Sequence, residues 1–181
     1  FEQAEKGFEN GFTHATHLFN AMTAFESRKP GVVGAVFASD RVTAELICDG
    51  FHLAPETVKL AFKILGAHRA VAISDSLSSA GCADGEYMLG GQKVIVKNAR
   101  AHLEDGTIAG STTNLFEEFK NLLSFSIPFE DALAACTINP ARVIGADGIC
   151  GSLEEGKNAD IVFVDGSMNL KHVMIKGKMI F

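Results

Sequence analysis

The sequence predicts an α/β fold in which parallel strand–helix units come first, followed by an antiparallel meander and a small β-region. Three observations predict it. Over residues 12–75, short apolar and β-branched runs alternate with loops and helical segments, the rhythm of βα units. Each of the first three strands ends on a polar residue capable of chemistry. Beyond Asp75 the runs shorten and are divided by Gly90-Gly91, Asn98 and Asp105-Gly106, which are turn signals.

The elements follow in order. Residues 1–10 read as a helix, with Phe1, Ala4 and Phe8 at helical spacing and Gly11 as its stop. The chain opens inside that amphipathic pattern, so we expect it to be a piece of something longer. Phe12–His17 is the first strand, residues 20–31 a loop carrying Arg28, and Val32–Phe37 a short helix. Val42–Cys48 is the second strand and ends at Asp49-Gly50-Phe51-His52. A helix opens at Pro55, which suits a first turn, and Ala70–Ser74 is the third strand, ending in Asp75. The meander comprises Tyr87–Leu89, Val94–Lys97 and Ala101–Leu103. Asn114 and Glu117 form a capping box for a helix through Leu123, and a second helix spans residues 128–137. Asn139 is expected as N-cap and Pro140 as first residue of a last short helix ending at Gly145. Three strands near 160–164, 172–175 and 178–181 close the chain.

Composition narrows the function classes. With 181 residues, 47% hydrophobic and 21% charged, the chain is too apolar to be disordered. Lysine and arginine total 16 against 22 acidic residues, a net charge of −6 with no basic run. That disfavours a nucleic-acid backbone or an anionic membrane surface as partner. No apolar stretch approaches the ~18 residues of a membrane span. The four cysteines include no C-x-x-C pair, so zinc-ribbon and thioredoxin readings have no support, and free thiols in a reducing, cytoplasmic setting are expected.

His17, His52 and Asp75 each follow a strand, and parallel α/β folds assemble their sites at C-terminal strand ends. Two imidazoles and a carboxylate there suit metal-assisted hydrolysis. Alternation along the strands sets Thr13, Ala15 and His17 on one face and His14 on the other, so His14 is read as structural. Val71, Ile73 and Asp75 likewise share a face. Bland roles fit the same spacings: a structural histidine at His17, a turn cap at Asp75, an N-cap neighbour at His52 and a solvated charge at Arg28. A serine triad lacks support, because no G-x-S-x-G surrounds Ser74 or Ser76.

One run goes further. Ala15-Thr16-His17-Leu18-Phe19-Asn20-Ala21-Met22, then Arg28-x-Pro30-Gly31, closely resembles the N-acetylglucosamine-6-phosphate deacetylases of the amidohydrolase superfamily. Asp49-Gly50-Phe51-His52, Ser74-Asp75, Asn139-Pro140-Ala141-Arg142 and the Gly151–Val162 stretch fit in the same order, the last marking only the superfamily. The resemblance implies His17 as a metal ligand, Asp75 as the catalytic aspartate and His52 as a sugar contact. It implies that Asn20 and Ala21 hold the 6-phosphate and that Arg28 reaches it in the neighbouring subunit of a homodimer. Gly110-Ser111-Thr112 matches a substrate-contacting loop more loosely. A divalent ion, zinc or iron, is implied as cofactor, and hydrolysis of the acetamide to glucosamine 6-phosphate and acetate as the reaction.

The same resemblance implies that this chain is the C-terminal part of a (β/α)₈ barrel, about strands 6–8, with part of a small β-sandwich domain. Residues 1–148 then belong to the barrel, with a meander insertion near 86–105, and residues 149–181 to the β-domain. The family takes a glutamate and a further histidine from sequence before His17, and here Glu2, Glu5 and Glu9 lie on a helix. The ligand set is therefore expected to be incomplete and the piece alone inactive. The rival readings are another amidohydrolase, dihydroorotase-like or deaminase-like, and a non-catalytic folded fragment.

Overall fold

A computed structural model describes all 181 residues. The chain opens with α1 (Glu2–Glu9) and β1 (His14–Ala15), then α2 (Gly31–Ala38), β2 (Thr43–Ile47), α3 (Pro55–Arg69) and β3 (Ala70–Ile73). Strands β1, β2 and β3 pair in parallel, in that order, with Ala15 beside Ala44 and Ile47 beside Ile73. Parallel pairing requires crossovers, and α2 and α3 supply them. Strand β3 (Ala-Val-Ala-Ile) is apolar throughout, as expected of a parallel strand covered by helices, whereas β2 alternates buried Ala44 and Leu46 with half-buried Thr43 and Glu45. Ala44, Leu46, Cys48, Ala70 and Ala72 pack with Val58, Ala61, Phe62 and Leu65 of α3.

The first strand is shorter than expected. Only His14 and Ala15 pair, because Phe12 is exposed and the backbone turns left-handed at His17. The chain then touches the sheet again where the Leu18 N–H donates to the Glu45 carbonyl at 2.8 Å. Helix α3 runs on to Arg69 but breaks at Gly66 (φ 69°).

After β3 the meander forms as read, from β4 (Gly85–Leu89), β5 (Gln92–Lys97) and β6 (Arg100–Leu103), around its own cluster of Val94, Val96, Ala101 and Ala109. Helix α4 (Leu115–Ser124) begins at Asn114, whose side chain accepts from the N–H groups of Phe116 and Glu117. Helices α5 (Phe129–Cys136) and α6 (Ile138–Val143) follow. Phe119 and Leu122 of α4 and Ala132 and Ala135 of α5 complete the main core.

Asn139 does not cap. Helix α6 starts at Ile138 with Thr137 before it, and the Asn139 side chain turns inward. It is 1% exposed and donates from Nδ2 to the carbonyls of Ala67 (2.8 Å) and Ala70 (2.9 Å). The α3–β3 corner, left without regular partners by the break at Gly66, is thus closed by a side chain about 70 residues away in sequence. The last segment carries β7 (Ile161–Val164), β8 (Leu170–Ile175) and β9 (Lys178–Met179), an antiparallel sheet. Gly151 lets this segment start close against α6: its φ is 90°, and a Cβ there would lie 2.9 Å from the Ala141 Cβ. Val162, Val164 and Met168 then face Phe116, Phe119 and Phe129 across an apolar groove.

Asn139→Ala removes the donor from the buried Ala70 carbonyl and the half-buried Ala67 carbonyl and should lower stability by about 1–3 kcal/mol. Asn139→Asp, which sets an acceptor against two acceptors, should cost more. Urea unfolding of the intact chain measures both, and a harmless N139D would show that the two bonds are unimportant.

Candidate active site

The parallel register brings three chain reversals to the same edge of the sheet, at the C-terminal ends of β1, β2 and β3. Neighbouring strands lie about 4.8 Å apart, so the three ends form one contiguous patch.

At the end of β1 the backbone is left-handed at His17 (φ 29°), Phe19 (φ 76°) and Ala21 (φ 52°). None is glycine, and each such residue costs on the order of 1–3 kcal/mol. The turn is held from both sides. The His17 N–H donates to Glu45 Oε2 at 3.2 Å, and the Thr16 hydroxyl donates to the same oxygen at 2.7 Å. The hydrogen bond from His14 Nε2 to Glu45 Oε1 (3.0 Å) is the chief cause holding the Glu45 carboxyl down at about 2, against its desolvation. Glu45 is therefore a fixed negative charge behind the turn. The His17 ring donates from Nδ1 to the Asn20 carbonyl at 3.0 Å. A carbonyl only accepts, so Nδ1 carries a proton there and Nε2 is the ring nitrogen left without a protein partner, the one a metal-ligating histidine would use.

At the end of β2, Asp49 Oδ1 accepts from the N–H groups of Phe51 and His52, both at 2.8 Å, and Oδ2 accepts from His52 Nδ1 at 2.7 Å. Burial alone would raise the Asp49 carboxyl. The His52 ring and these two N–H donors outweigh it and hold the group below its ordinary 3.8. The His52 side chain is only 4% exposed, and its bond to Asp49 fixes the ring's orientation with a proton on Nδ1. Its neighbour Phe51 lies under the Arg100 guanidinium of β6, 4.6 Å from the ring centre.

At the end of β3, Asp75 is left-handed as well (φ 46°). Its turn is stitched to the segment before α4. The Ser111 N–H donates to the Asp75 carbonyl and the Leu77 N–H to the Ser111 carbonyl, each at 2.9 Å, while the Ser111 hydroxyl donates to the Ser74 carbonyl. Gly110 (φ 75°) permits this approach, since a Cβ there would lie 3.1 Å from the Asp75 carbonyl oxygen.

His17, His52 and Asp75 thus share one edge. For His17 and Asp75 the turns, rather than strand alternation, set the direction, because both residues lie beyond the paired strands in left-handed backbone. His14 bonds to Thr43 Oγ1 at 2.7 Å and to Glu45, a structural role. Asn20 is half-buried and bonds back to the Leu18 carbonyl (3.3 Å), while Ala21 is exposed beside it. Arg28 sits at the tip of the loop, between Glu26 and Lys29, exposed and without an ion-pair partner. Glu45, Asp49 and Glu118 were not singled out as functional residues from sequence, and Ser111, expected in a substrate-contacting loop, is seen here gripping the Asp75 turn. One signal did exist for Glu118: with Leu115, Phe119 and Leu122 it falls on the apolar stripe of its helix.

No three His, Cys, Asp or Glu side chains of this chain group into a metal site. His17 offers one ring nitrogen at this edge.

The model of the amidohydrolase family matches residues 1–180. The chain is 37% identical over 172 residues to the N-acetylglucosamine-6-phosphate deacetylase of Bacillus subtilis, covering 94% of this chain and 43% of that protein. The solved Thermotoga maritima N-acetylglucosamine-6-phosphate deacetylase superposes with a TM-score of 0.94 at 35% identity, covering 99% of this chain and 50% of that one. A Mycobacterium smegmatis deacetylase variant, solved with N-acetyl-D-glucosamine-6-phosphate, superposes at 0.91 and 33% identity, over 98% and 48%. The chain spans about half the length of the curated relatives it matches.

The Asp49–His52 pin has a pH signature. A carboxyl lowered by folding contributes stability that is present above its unfolded value and lost as the pH falls through the folded one. Below about pH 3.8 the urea midpoint of the wild type should therefore fall, and Asp49→Asn should lack that part of the fall. Identical acid profiles for D49N and wild type would show that the pin contributes nothing.

Proposed function

The chain belongs to the amidohydrolase family, and on that premise we propose that it forms the C-terminal, site-bearing part of an N-acetylglucosamine-6-phosphate deacetylase. The single observation that carries the reading is the set of strand-end residues. His17, His52 and Asp75 lie on one edge of a parallel sheet, inside motifs in the order that the deacetylases share. The sheet then corresponds to about strands 6–8 of the barrel. Residues 1–148, with the meander near 86–105, belong to that barrel and residues 149–181 to a small β-sandwich. No helix is long and apolar enough to cross a membrane. The four free cysteines suit a reducing compartment, and on that ground we assign the enzyme to the cytoplasm.

The reaction adds water across the acetamide of N-acetylglucosamine 6-phosphate. The C–N bond breaks, acetate takes the hydroxyl, and the sugar amine leaves with the proton. Amines leave poorly unless protonated, so a group must carry that proton from water to nitrogen. Asp75 does so, as general base and then as general acid. His52, with Nδ1 committed to Asp49, presents its other nitrogen to the sugar. Asn20 and the Ala21 backbone hold the 6-phosphate, and the unpartnered Arg28 reaches the phosphate in the neighbouring subunit of a homodimer. A divalent metal ion, zinc or iron, supplies Lewis-acid polarisation of the carbonyl and activation of water when bound with His17 among its ligands. The other ligands come from sequence that precedes this region in the relatives.

In the intact enzyme Asp75→Asn should lower kcat by about 10²–10⁴-fold with metal content unchanged. Retained turnover in D75N would remove Asp75 from the mechanism. Metal analysis and a deacetylase assay on these 181 residues alone should give substoichiometric metal and no turnover. Tight stoichiometric metal with full activity would overturn the reading that the site is shared with a further segment.

A further inference from the structure

We propose that Glu118, as a neutral carboxylic acid, is a positioning residue that sets the Asp75 turn through Thr113 and Ser111. The inference rests on the assignment of Asp75 above and extends it to a residue two contacts away.

Glu118 lies on the inner face of α4 and is fully buried. Its Oε1 meets the Thr113 hydroxyl, and its Oε2 is buried with no hydrogen-bond partner. From Thr113 the chain of contacts continues to the Ser111 hydroxyl at 3.1 Å, and from Ser111 to the Ser74 carbonyl. The Ser111 backbone meanwhile grips Asp75 and Leu77 on either side.

The protons in this chain can be counted. The Ser74 carbonyl has none, so the Ser111 hydroxyl spends its one proton there. The Ser111–Thr113 link must then use the proton of Thr113. Nothing remains for the Thr113–Glu118 link unless Glu118 brings its own. With Glu118 neutral, each of three links holds one proton and all point the same way, from Glu118 to the backbone before Asp75. With Glu118 ionised, the Thr113 hydroxyl turns to donate to it, and the Ser111 hydroxyl oxygen keeps only the long contact from the Thr113 N–H (3.4 Å) in place of the hydroxyl link.

The surroundings favour the neutral form. Burial is the largest cause raising the Glu118 carboxyl from 4.5 to about 7, and the nearby Asp49 carboxylate adds to it. The bond from Thr113, a weak pull from the Cys48 N–H and the neighbouring His52 act the other way. Cys48 at the end of β2 and Cys136 of α5 complete the shell. Burial pushes the Cys136 thiol up to about 12 and that of Cys48 well above its ordinary value, so both stay uncharged.

Amide hydrogen exchange across pH tests this on the full chain, read as protection of the Ser111 and Leu77 N–H groups after correction for intrinsic rates. In the wild type, protection should be full below about pH 4.5, fall by up to about tenfold per unit as the pH rises toward about 7, and level off at a low value above it. Glu118→Gln, whose amide donates at every pH, should remain protected throughout, whereas Glu118→Ala should be unprotected throughout. If E118A does not fold, the contrast between wild type and E118Q still decides. In the active enzyme E118A should lower kcat with little change in KM, and E118Q should recover most of the loss. Protection independent of pH in the wild type, or E118Q no better than wild type above pH 7, overturns the proposal. Absence of deacetylase turnover in the intact enzyme, wild type included, overturns the function assigned above, while exchange still judges the role of Glu118 at the turn.

Discussion

Everything at the candidate site depends on the parallel register of β1, β2 and β3. Three strands running the same way must all turn back at one edge, so three separate loops meet there. Ala15 beside Ala44 and Ile47 beside Ile73 leave His17, Asp49-His52 and Asp75 together at that edge. The apolar helices behind the sheet hold the register, because a slip of one residue would exchange buried and exposed faces along each strand. Two of these turns are left-handed at non-glycine residues, a conformation that only surrounding structure sustains.

That surrounding structure is largely a set of carboxylates behind the site, each tuned differently. Glu45 and Asp49 collect donors and are held ionised, one fixing the backbone at His17 and the other the ring of His52. Glu118 has one partner and no access to water, so burial prevails and drives it toward the neutral form. Like charge contributes to this division. A second ionised carboxylate beside Asp49 in the interior would be unfavourable, and Glu118 yields because it has fewer donors.

Much of the architecture was legible in the sequence because it follows from local pattern. The short apolar strands, the cap at Asn114, the meander turns and the polar strand ends all come from residues within a few positions of one another. The motif around His17 was legible for the same reason. What failed were inferences that extended a local rule past its element. Strand alternation was carried to His17 and Asp75, yet both lie in left-handed turns beyond the paired residues. Asn-Pro was read as a cap, yet Asn139 serves the corner at Ala67 and Ala70. The groups at that corner needed a donor, and the adjacent Arg69 spends its guanidinium on the carbonyls of Val36, Val42 and Ile64.

By itself, the sequence determined the class of fold, the order of its elements and the residue types at the strand ends, because hydrophobic period and turn chemistry act over short distances. Only the tertiary structure decided which groups support those residues. Glu45 reaches His17 across neighbouring strands, Ser111 grips Asp75 from 36 positions away, and Glu118 meets this network from inside a helix. The reason is physical. A hydrogen bond in the interior is set by the closure of distant segments on one another, and no periodicity along the chain records it.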